Sequence, residues 1–157
     1  MISVAVIGGG ASGMAFAVAL KQKRPDIEVT VFEKNPKVLK KILVTGNGRC
    51  NILNFDAVAE NYFEACEFVR PAVEKYAPKK TEAIFRDMGL LLMSEQEGRA
   101  YPISQTAASV VCVLSSAAER AGVKVFTDTP VKSIKKSQGR FVINNDKSFD
   151  FAVIACG

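Results

Sequence analysis

The amino-acid sequence predicts an α/β fold, in which helices flank a parallel sheet that also carries a three-stranded β-meander. Three observations predict it. An apolar run at residues 3–7, a glycine turn, a helical stretch and a second β-rich run follow one another within the first 34 residues. Helical and β patterns then alternate through the middle, and most of the chain after residue 122 is β-rich. The opening series predicts a βαβ unit with parallel strands and a right-handed crossover.

The composition limits the classes of function. The chain has 157 residues, the size of one ordinary domain, and 48% of them are apolar, which excludes a disordered protein. Its 21 basic and 16 acidic side chains give a net charge of +5, and the basic ones are dispersed as solvated edges. The absence of histidine excludes Ser-His-Asp triads and zinc sites with histidine ligands. We predict no nucleic-acid partner and no metal site, and we assign no catalytic residue.

The cysteines and the N-terminus bear on localisation. The four cysteines, at positions 50, 66, 112 and 156, form no C-x-x-C pair, which favours reduced thiols. The apolar first 20 residues have no Lys or Arg before them and are interrupted by four glycines, so they resemble neither a signal peptide nor a membrane helix. We therefore predict a cytoplasmic protein without a membrane partner.

Each element of the first third has a local signal. SVAVI at residues 3–7 is a buried strand, and the apolar stretch after the glycines is a helix that ends near Lys23, before Pro25. EVTVFEK at residues 28–34 is the second strand. Residues 35–56 are rich in Lys, Gly and Asn and are predicted to form a long functional loop.

The remaining elements follow from periodicity and turn residues. The middle is predicted as two helices, a strand, a turn with a loop, and a third helix, at residues 58–76, 79–88, 90–94, 95–102 and 105–121. Ser104 can cap the third helix, and Gly122 can take the left-handed conformation after it. The tail is predicted as a core strand at 123–127, a hairpin of PVKSIKK and RFVIN, and a last strand at 148–155.

The strongest motif is G-x-G-x-x-G at residues 8–13, between the first strand and the first helix. Gly8 permits the tight turn, Gly10 lets a pyrophosphate approach the backbone, and Gly13 lets helix and strand pack closely. The first N–H groups of the helix, which include those of Ala11 and Ser12, can bind the pyrophosphate. The motif predicts a Rossmann-like FAD/NAD(P)-binding fold.

An acidic residue completes this motif. Glu33 lies 20 residues after Gly13 at the end of the second strand, where a carboxylate accepts hydrogen bonds from the two ribose hydroxyls. Its charge disfavours a nucleotide with a 2′-phosphate. NAD and FAD both stay possible on these residues alone.

A second motif is KKILVTGNGRCN at residues 40–51. Gly46 and Gly48 flank an asparagine, and polar residues follow, so the turn can lie closely against a flat ligand and its phosphates. The alternative is a loop whose glycines serve its own backbone. Lys41 can reach a phosphate or a flavin carbonyl, or it can belong to a solvated edge.

Four segments together resemble a known family. GGGASG, the FEK strand end, KKILVTGNGRCN, and GRAYPISQTAASVV at 98–111 are similar to FAD-dependent flavoproteins related to aminoacetone oxidase and to bile-acid-dehydroxylation reductases, a group of NAD(P)/FAD-dependent oxidoreductases. The resemblance extends over essentially the whole chain. It implies FAD, with the adenosine at Glu33, the pyrophosphate at residues 8–13 and the GNGRCN turn along the ribityl and flavin. The cofactor-binding residues that it adds are Lys34, Lys41, Gly46, Asn47, Gly48, Arg49, Cys50, Asn51, Val131, Ala155 and Gly157.

The C-terminal residues depart from that family. Its last core strand continues into an Ala-Thr-Gly-Gly turn over FAD and then a large second domain, whereas this chain reads Ala155-Cys156-Gly157 and stops. The resemblance therefore implies that residues 1–157 are one FAD-binding domain, truncated at its C-terminus and without the substrate domain. The incomplete sheet would favour self-association.

The predicted function follows from this resemblance. The intact protein would be a flavin-dependent oxidoreductase that passes a hydride between NAD(P)H, or a small organic substrate, and flavin, and the 157-residue chain alone would be inactive. The alternatives are a nucleotide-binding module without turnover and a small NAD-dependent dehydrogenase.

Several side chains keep two interpretations. Cys50 is a redox thiol whose pKa is lowered by Arg49, or a small side chain packed in a tight loop. Arg99 and Tyr101 line a substrate pocket or anchor a loop. The cysteines at 66 and 112 lie in helical patterns and are predicted to be small core residues.

Overall fold

The computed structural model describes the side chains of residues 1–63 and 66–157, and the chain divides into two compact units. The sheet unit comprises Met1–Ile42 and Leu114–Gly157, and the middle unit comprises Leu43–Val113. In chain order the elements are β1 (Ser3–Ile7), α1 (Ala11–Lys23), β2 (Glu28–Phe32), β3 (Leu53–Asn54), α2 (Cys66–Lys75), α3 (Pro78–Asp87), β4 (Leu92–Ser94), β5 (Arg99–Pro102), α4 (Ala107–Arg120), β6 (Lys124–Phe126), β7 (Ile134–Ser137), β8 (Arg140–Ile143), β9 (Lys147–Phe149) and β10 (Phe151–Ile154).

The sheet unit contains a four-stranded parallel sheet in the order β10-β1-β2-β6. The predicted βαβ unit is confirmed, since β1 and β2 pair in parallel on either side of α1. β2 ends at Phe32, two residues before the predicted end. The N–H of Glu33 still donates to Phe126, the last residue of β6, and the Glu33 carbonyl accepts the N–H of Thr129, which lies beyond that strand.

Opposite faces of this sheet are covered by α1 and by the meander. α1 buries Met14, Ala17 and Val18, and its Gly13 packs close to Val6 of β1. On the other face Ala5, Ile7, Phe32, Ile143 and Phe149 form an apolar cluster. The predicted arrangement, with helices on one side of the sheet and the meander on the other, is therefore confirmed for α1 and the meander.

The meander consists of β7, β8 and β9 in antiparallel order. Gln138 and Gly139, which join β7 to β8, both have positive φ, as a two-residue hairpin turn requires. The predicted last strand at 148–155 is two strands, β9 and β10. They separate at Asp150, whose carboxylate accepts hydrogen bonds from the N–H and hydroxyl of Ser3, each at 2.8 Å. These bonds hold the chain where it passes from the meander into the sheet.

The middle unit contains the antiparallel sheet β3-β5-β4 together with α2 and α3. One prediction is wrong here. Residues 99–102, predicted as loop, form β5, because pairing with both β3 and β4 buries Ala100, Tyr101 and Pro102. The predicted loop at 35–56 contains the short strand β3 and 3₁₀ turns at Lys40–Gly48.

Helix α4 ends as predicted but begins later. Gly122 has a φ of +71°, and the N–H groups of Gly122 and Val123 donate to the carbonyls of Glu119 and Ala118, which is a Schellman end. Ser104 does not cap the helix, because α4 begins at Ala107 and the Ser104 hydroxyl contacts that of Ser109.

The cysteines of the two helices differ from the prediction. Cys112 is exposed on α4, so its assignment to the core is wrong. Cys66 is half-buried at the start of α2, where its sulfur lies 3.1 Å from an Nη atom of Arg70.

Candidate functional site

The glycine turn between β1 and α1 is required in part by the protein's own backbone. Gly8 has a φ of +110°, and a Cβ there would lie 2.4 Å from the carbonyl oxygen of Ala155. A Cβ on Gly13 would lie 2.0 Å from the carbonyl oxygen of Gly8. Neither position can hold a side chain without moving main chain, so these two glycines are explained by the fold.

Gly10 has no such explanation. It is the N-cap of α1 with a φ of −76°, which any residue adopts, and a Cβ there would meet no protein atom within 4 Å. No side chain of the described residues caps this helix end, its first turn contains no acid, and Ala11 and Ser12 are exposed. The N–H groups of residues 11–13 precede the first intrahelical bond, from Met14 to Gly10. Open space beside uncapped N–H groups fits an anionic phosphate group.

Glu33 lies at the same edge of the sheet, and both of its carboxylate oxygens are hydrogen-bonded. Oε2 accepts the N–H of Gly9 at 2.8 Å, and Oε1 accepts the main-chain N–H and side-chain amide of Asn35 at 2.9 and 2.6 Å. The residue is 8% exposed. Sequence reasoning missed Asn35, although an Asn two residues after a strand-end acid is a signal for a local turn.

These hydrogen bonds decide the ionisation of Glu33. Burial raises the pKa of its carboxyl, but the donors on Asn35 and Gly9 stabilise the charged form and leave the pKa below the ordinary value. A carboxylate with a lowered pKa in the folded state stabilises the fold at neutral pH, and this contribution is lost as the pH falls through the folded-state pKa.

The lowered pKa of Glu33 predicts how stability depends on acid. As the pH is lowered from 7 to about 3, we expect the free energy of unfolding of the wild type to fall more steeply than that of Glu33→Gln, because the amide of Gln cannot titrate. Most of this difference should develop below the ordinary pKa of Glu. Urea titrations at several pH values, followed by circular dichroism, measure the difference. Parallel curves for the two proteins would show that Glu33 adds no pH dependence.

Val131 occupies a different local structure from the predicted one. It precedes β7 rather than lying in it, because the N–H groups of Lys132 and Ser133 bond to the Asn144 side chain at 2.7 and 3.3 Å instead of to a neighbouring strand. The Val131 side chain packs against the apolar cluster under the sheet. Among the described residues its main-chain N–H and carbonyl form no hydrogen bond, so they remain available to a ligand.

Four further predicted residues lie in the sheet unit: Lys34, Lys41, Ala155 and Gly157. The N–H of Ala155 donates to the carbonyl of Ile7 at 2.8 Å, which places the end of β10 beside the glycine turn. The Nζ atom of Lys41 lies 3.8 Å from the position that a Cβ on Gly157 would take. Lys34 and Lys41 are both exposed. The structure thus brings Gly8, Gly10, Gly13, Glu33 and Ala155 to one edge.

The GNGRCN turn belongs to the middle unit and is built by three of its residues. Gly46 has a φ of +53°, and a Cβ there would lie 2.6 Å from the N atom of Asn51. The N–H groups of Arg49 and Cys50 donate back to Gly46 and to Thr45 at 3.1 and 3.0 Å. This turn therefore closes on its own backbone.

The Arg49 side chain is engaged within the same unit. Its Nη1 donates to both carboxylate oxygens of Glu95, at 2.9 and 3.0 Å, and to Gln105 Oε1 at 3.0 Å. The guanidinium carbon lies 4.0 Å from the ring centroid of Tyr101, which is 4% exposed. Tyr101 is thus an anchor of the turn, and Arg99 forms an exposed pair with Glu97.

The same turn leaves other groups free. Asn47 and Asn51 are exposed, and within the described part of the chain their side-chain amides have no hydrogen-bond partner. Gly48 has a φ of +79°, and a Cβ there would meet no atom within 4 Å. At these three positions the turn leaves side-chain amides or open space facing solvent.

Cys50 is a packed side chain. It is 6% exposed, and burial raises the pKa of its thiol, which a hydrogen bond with Thr45 lowers to a smaller extent. The prediction that Arg49 lowers this pKa is wrong, because the guanidinium is directed to Glu95, Gln105 and Tyr101. A buried thiol with a raised pKa is a poor nucleophile.

Comparison with known proteins identifies the family of this chain. The family model described as HI0933-like protein Rossmann domain matches residues 2–157. The chain belongs to this HI0933-like family. The 3-dehydro-bile acid delta(4,6)-reductase of Clostridium scindens is 37% identical, with 100% of this chain and 39% of that protein covered. The ribosomal RNA dihydrouridine synthase of Haemophilus influenzae is 27% identical, with 88% of this chain and 35% of that protein covered.

A solved structure shows the same fold. CtdE, crystallised in complex with FAD and a substrate, superimposes with a TM-score of 0.56 at 16% identity, over 100% of this chain and 38% of that one. The chain of this HI0933-like member thus spans less than two fifths of the length of either curated relative. Among the described residues, no helix is long and apolar enough to cross a membrane.

Proposed function

We propose that this chain is the FAD-binding part of a flavin-dependent oxidoreductase. The observation that carries the proposal is the open space at Gly10, where the protein has no steric need of glycine and where the first N–H groups of α1 are uncapped. A dinucleotide pyrophosphate requires close approach to the backbone at this position of the motif. Membership of the HI0933-like Rossmann family and the FAD complex of CtdE support FAD as the dinucleotide.

Residues of the sheet unit would bind the adenosine diphosphate half of FAD, each contacting a different part of it. The N–H groups at Ala11 and Ser12 would hold the pyrophosphate, and the exposed ammonium of Lys41 would add positive charge. Glu33 would accept a ribose hydroxyl, and the main chain at Val131 would contact the adenine. Lys34, next to Glu33, would lie along the exposed side of the ribose.

The flavin half is proposed to lie along the GNGRCN turn. Asn47, Gly48 and Asn51 present the free groups, whereas Arg49 and Cys50 would act by holding the shape of the turn. Bound flavin supplies the hydride chemistry, and the protein supplies position and electrostatics. Ala155 and Gly157 would close the site at the end of β10.

The wider role of the protein is part of the same proposal. The reaction is hydride transfer between NAD(P)H, or a small organic substrate, and flavin, in the cytoplasm and without nucleic-acid or membrane partners. Because the chain covers 39% of the bile-acid reductase, we propose that substrate contacts lie in a domain outside residues 1–157 and that this chain alone does not turn over. Phe151 and Ile154 of the edge strand β10 are 56% and 72% exposed, which favours self-association.

The visible absorption spectrum of the purified chain tests FAD binding. We expect added FAD to show a perturbed, saturable flavin spectrum, with Glu33→Ala binding at least about tenfold more weakly because hydrogen bonds to a charged group are lost. Glu28→Ala is the matched control, because Glu28 is the acid at the start of β2, the strand that Glu33 follows, and it pairs with Lys124 at the surface. An unperturbed spectrum at every FAD concentration would reject the proposal, and gel filtration of the same sample reports the association state.

A further inference from the structure

The Glu33 carboxylate has too few free acceptor positions to bind both hydroxyl groups of a ribose. A carboxylate has about four lone-pair positions, two on each oxygen. Oε1 accepts two bonds from Asn35, at 2.9 and 2.6 Å, and Oε2 accepts one bond from Gly9 at 2.8 Å. One position, on Oε2, is therefore free, whereas a ribose presents two vicinal hydroxyl groups.

The Asn35 side chain has free hydrogen-bonding groups beside Glu33. Its amide orientation is determined by Glu33, because a carboxylate oxygen accepts and the group 2.6 Å from it must be the donating Nδ2. Nδ2 has a second N–H, and Oδ1 is an acceptor; neither has a partner among the described residues. Asn35 is half-buried, so the amide is accessible from solvent beside the buried carboxylate.

The main chain of Asn35 is fixed independently of its side chain. Its N–H donates to Glu33 Oε1, and its carbonyl accepts the N–H of Asp128 at 3.1 Å. Both bonds would persist in Asn35→Ala. The main chain at residue 35 is thus held by two hydrogen bonds that do not involve the side chain. Asn35→Ala removes only the Nδ2 donor to Glu33, the second N–H of Nδ2 and the acceptor Oδ1.

We propose that Asn35 and Glu33 together read the ribose diol, with one hydroxyl donating to Glu33 Oε2 and the other bonded to the Asn35 amide. The inference rests on the proposed nucleotide site and adds a specificity-determining residue to it. The ligand must then have both ribose hydroxyl groups unsubstituted, because each hydroxyl binds a different side chain.

The test uses ADP, 2′-deoxy-ADP and 3′-deoxy-ADP as probes, titrated calorimetrically into the 157-residue chain. We expect Asn35→Ala to bind ADP about tenfold more weakly than the wild type, as for loss of a hydrogen bond in a partly buried site. One of the two deoxy analogues lacks the hydroxyl that Asn35 contacts. Asn35→Ala and the wild type should bind that analogue with affinities that agree within about twofold. A structural role alone would weaken all three probes by the same factor, and that result would overturn the inference.

Controls separate this inference from the proposed function. Asn54→Ala removes an amide that bonds the carbonyl of Glu97 in the middle unit, and it should leave all three affinities unchanged. If Asn35→Ala does not fold, Asn35→Ser is the second variant, because its shorter side chain lacks the amide, and it should lose the same discrimination between probes. A wild type that binds neither ADP nor FAD rejects the nucleotide site itself, whereas ADP binding that is insensitive to Asn35 rejects this inference alone.

Discussion

Gly13→Ala should destabilise the sheet unit by more than about 3 kcal/mol, whereas Gly10→Ala should leave the fold intact and weaken FAD binding at least about tenfold. The first effect has a steric cause. A Cβ on Gly13 would lie 2.0 Å from the Gly8 carbonyl oxygen, and Gly8 is itself held by its N–H bond to Phe32 at 2.8 Å. Main chain at this contact cannot move without separating α1 from β1.

The second effect has a different cause, because space beside Gly10 is open. A methyl group there meets no protein atom within 4 Å, and the φ of −76° suits alanine. The small cost of alanine at an N-cap and the lower entropy of its unfolded chain oppose each other, so the net change should stay within about 1 kcal/mol. The methyl group would occupy the volume through which the pyrophosphate approaches.

Urea unfolding and FAD titration of the two variants check this pair. Both measurements are needed, since Gly13→Ala would lose FAD by losing the fold. If Gly10→Ala bound FAD as tightly as the wild type, the open space would not be the pyrophosphate position. Equal stability of Gly13→Ala and the wild type would contradict the packing argument.

Phe32→Ala should lower the free energy of unfolding by about 3–5 kcal/mol, a large fraction of the roughly 5–15 kcal/mol typical of a domain. Phe32 is 3% exposed at the end of β2. Its ring stacks on Phe126 with centroids 5.9 Å apart and meets the edge of Phe149 at 5.7 Å. It therefore joins the parallel sheet to the meander, and a cavity there would loosen both.

Phe151→Ala is the matched control. Phe151 belongs to the edge strand β10 and is 56% exposed, so its truncation should cost less than about 1 kcal/mol. Chemical denaturation of both variants, followed by far-ultraviolet circular dichroism, gives the difference. Similar decreases in the free energy of unfolding for the two variants would show that the cluster around Phe32 is not the main contact between the meander and the parallel sheet.

Local signals predicted much of this fold. The apolar run of β1, the glycine turn, and Pro25 after Lys23 identified the first strand and helix, which the structure has at Ser3–Ile7 and Ala11–Lys23. Gly122 marked the end of α4, and the SQG turn marked the hairpin of β7 and β8. Each of these signals acts within a few residues through dihedral preference, periodicity or capping.

Other features depend on contacts between distant residues. β5 was missed because its strand conformation comes from pairing with β3 and β4, and one predicted terminal strand is two because Asp150 bonds to Ser3. Cys112 was assigned to the core because helical periodicity does not say which face will find a partner.

The candidate site divides in the same way. The glycine turn, the acid after β2 and the polar turn at 46–51 could be predicted from the sequence, because each depends on residue types in a local pattern. The partner of the Arg49 guanidinium, which is Glu95, and the open space beside Gly10 are visible only in the folded chain. The same is true of the hydrogen bond from the Asn35 amide to Glu33. Side-chain partners depend on where the whole chain places its neighbours, and no local pattern records that.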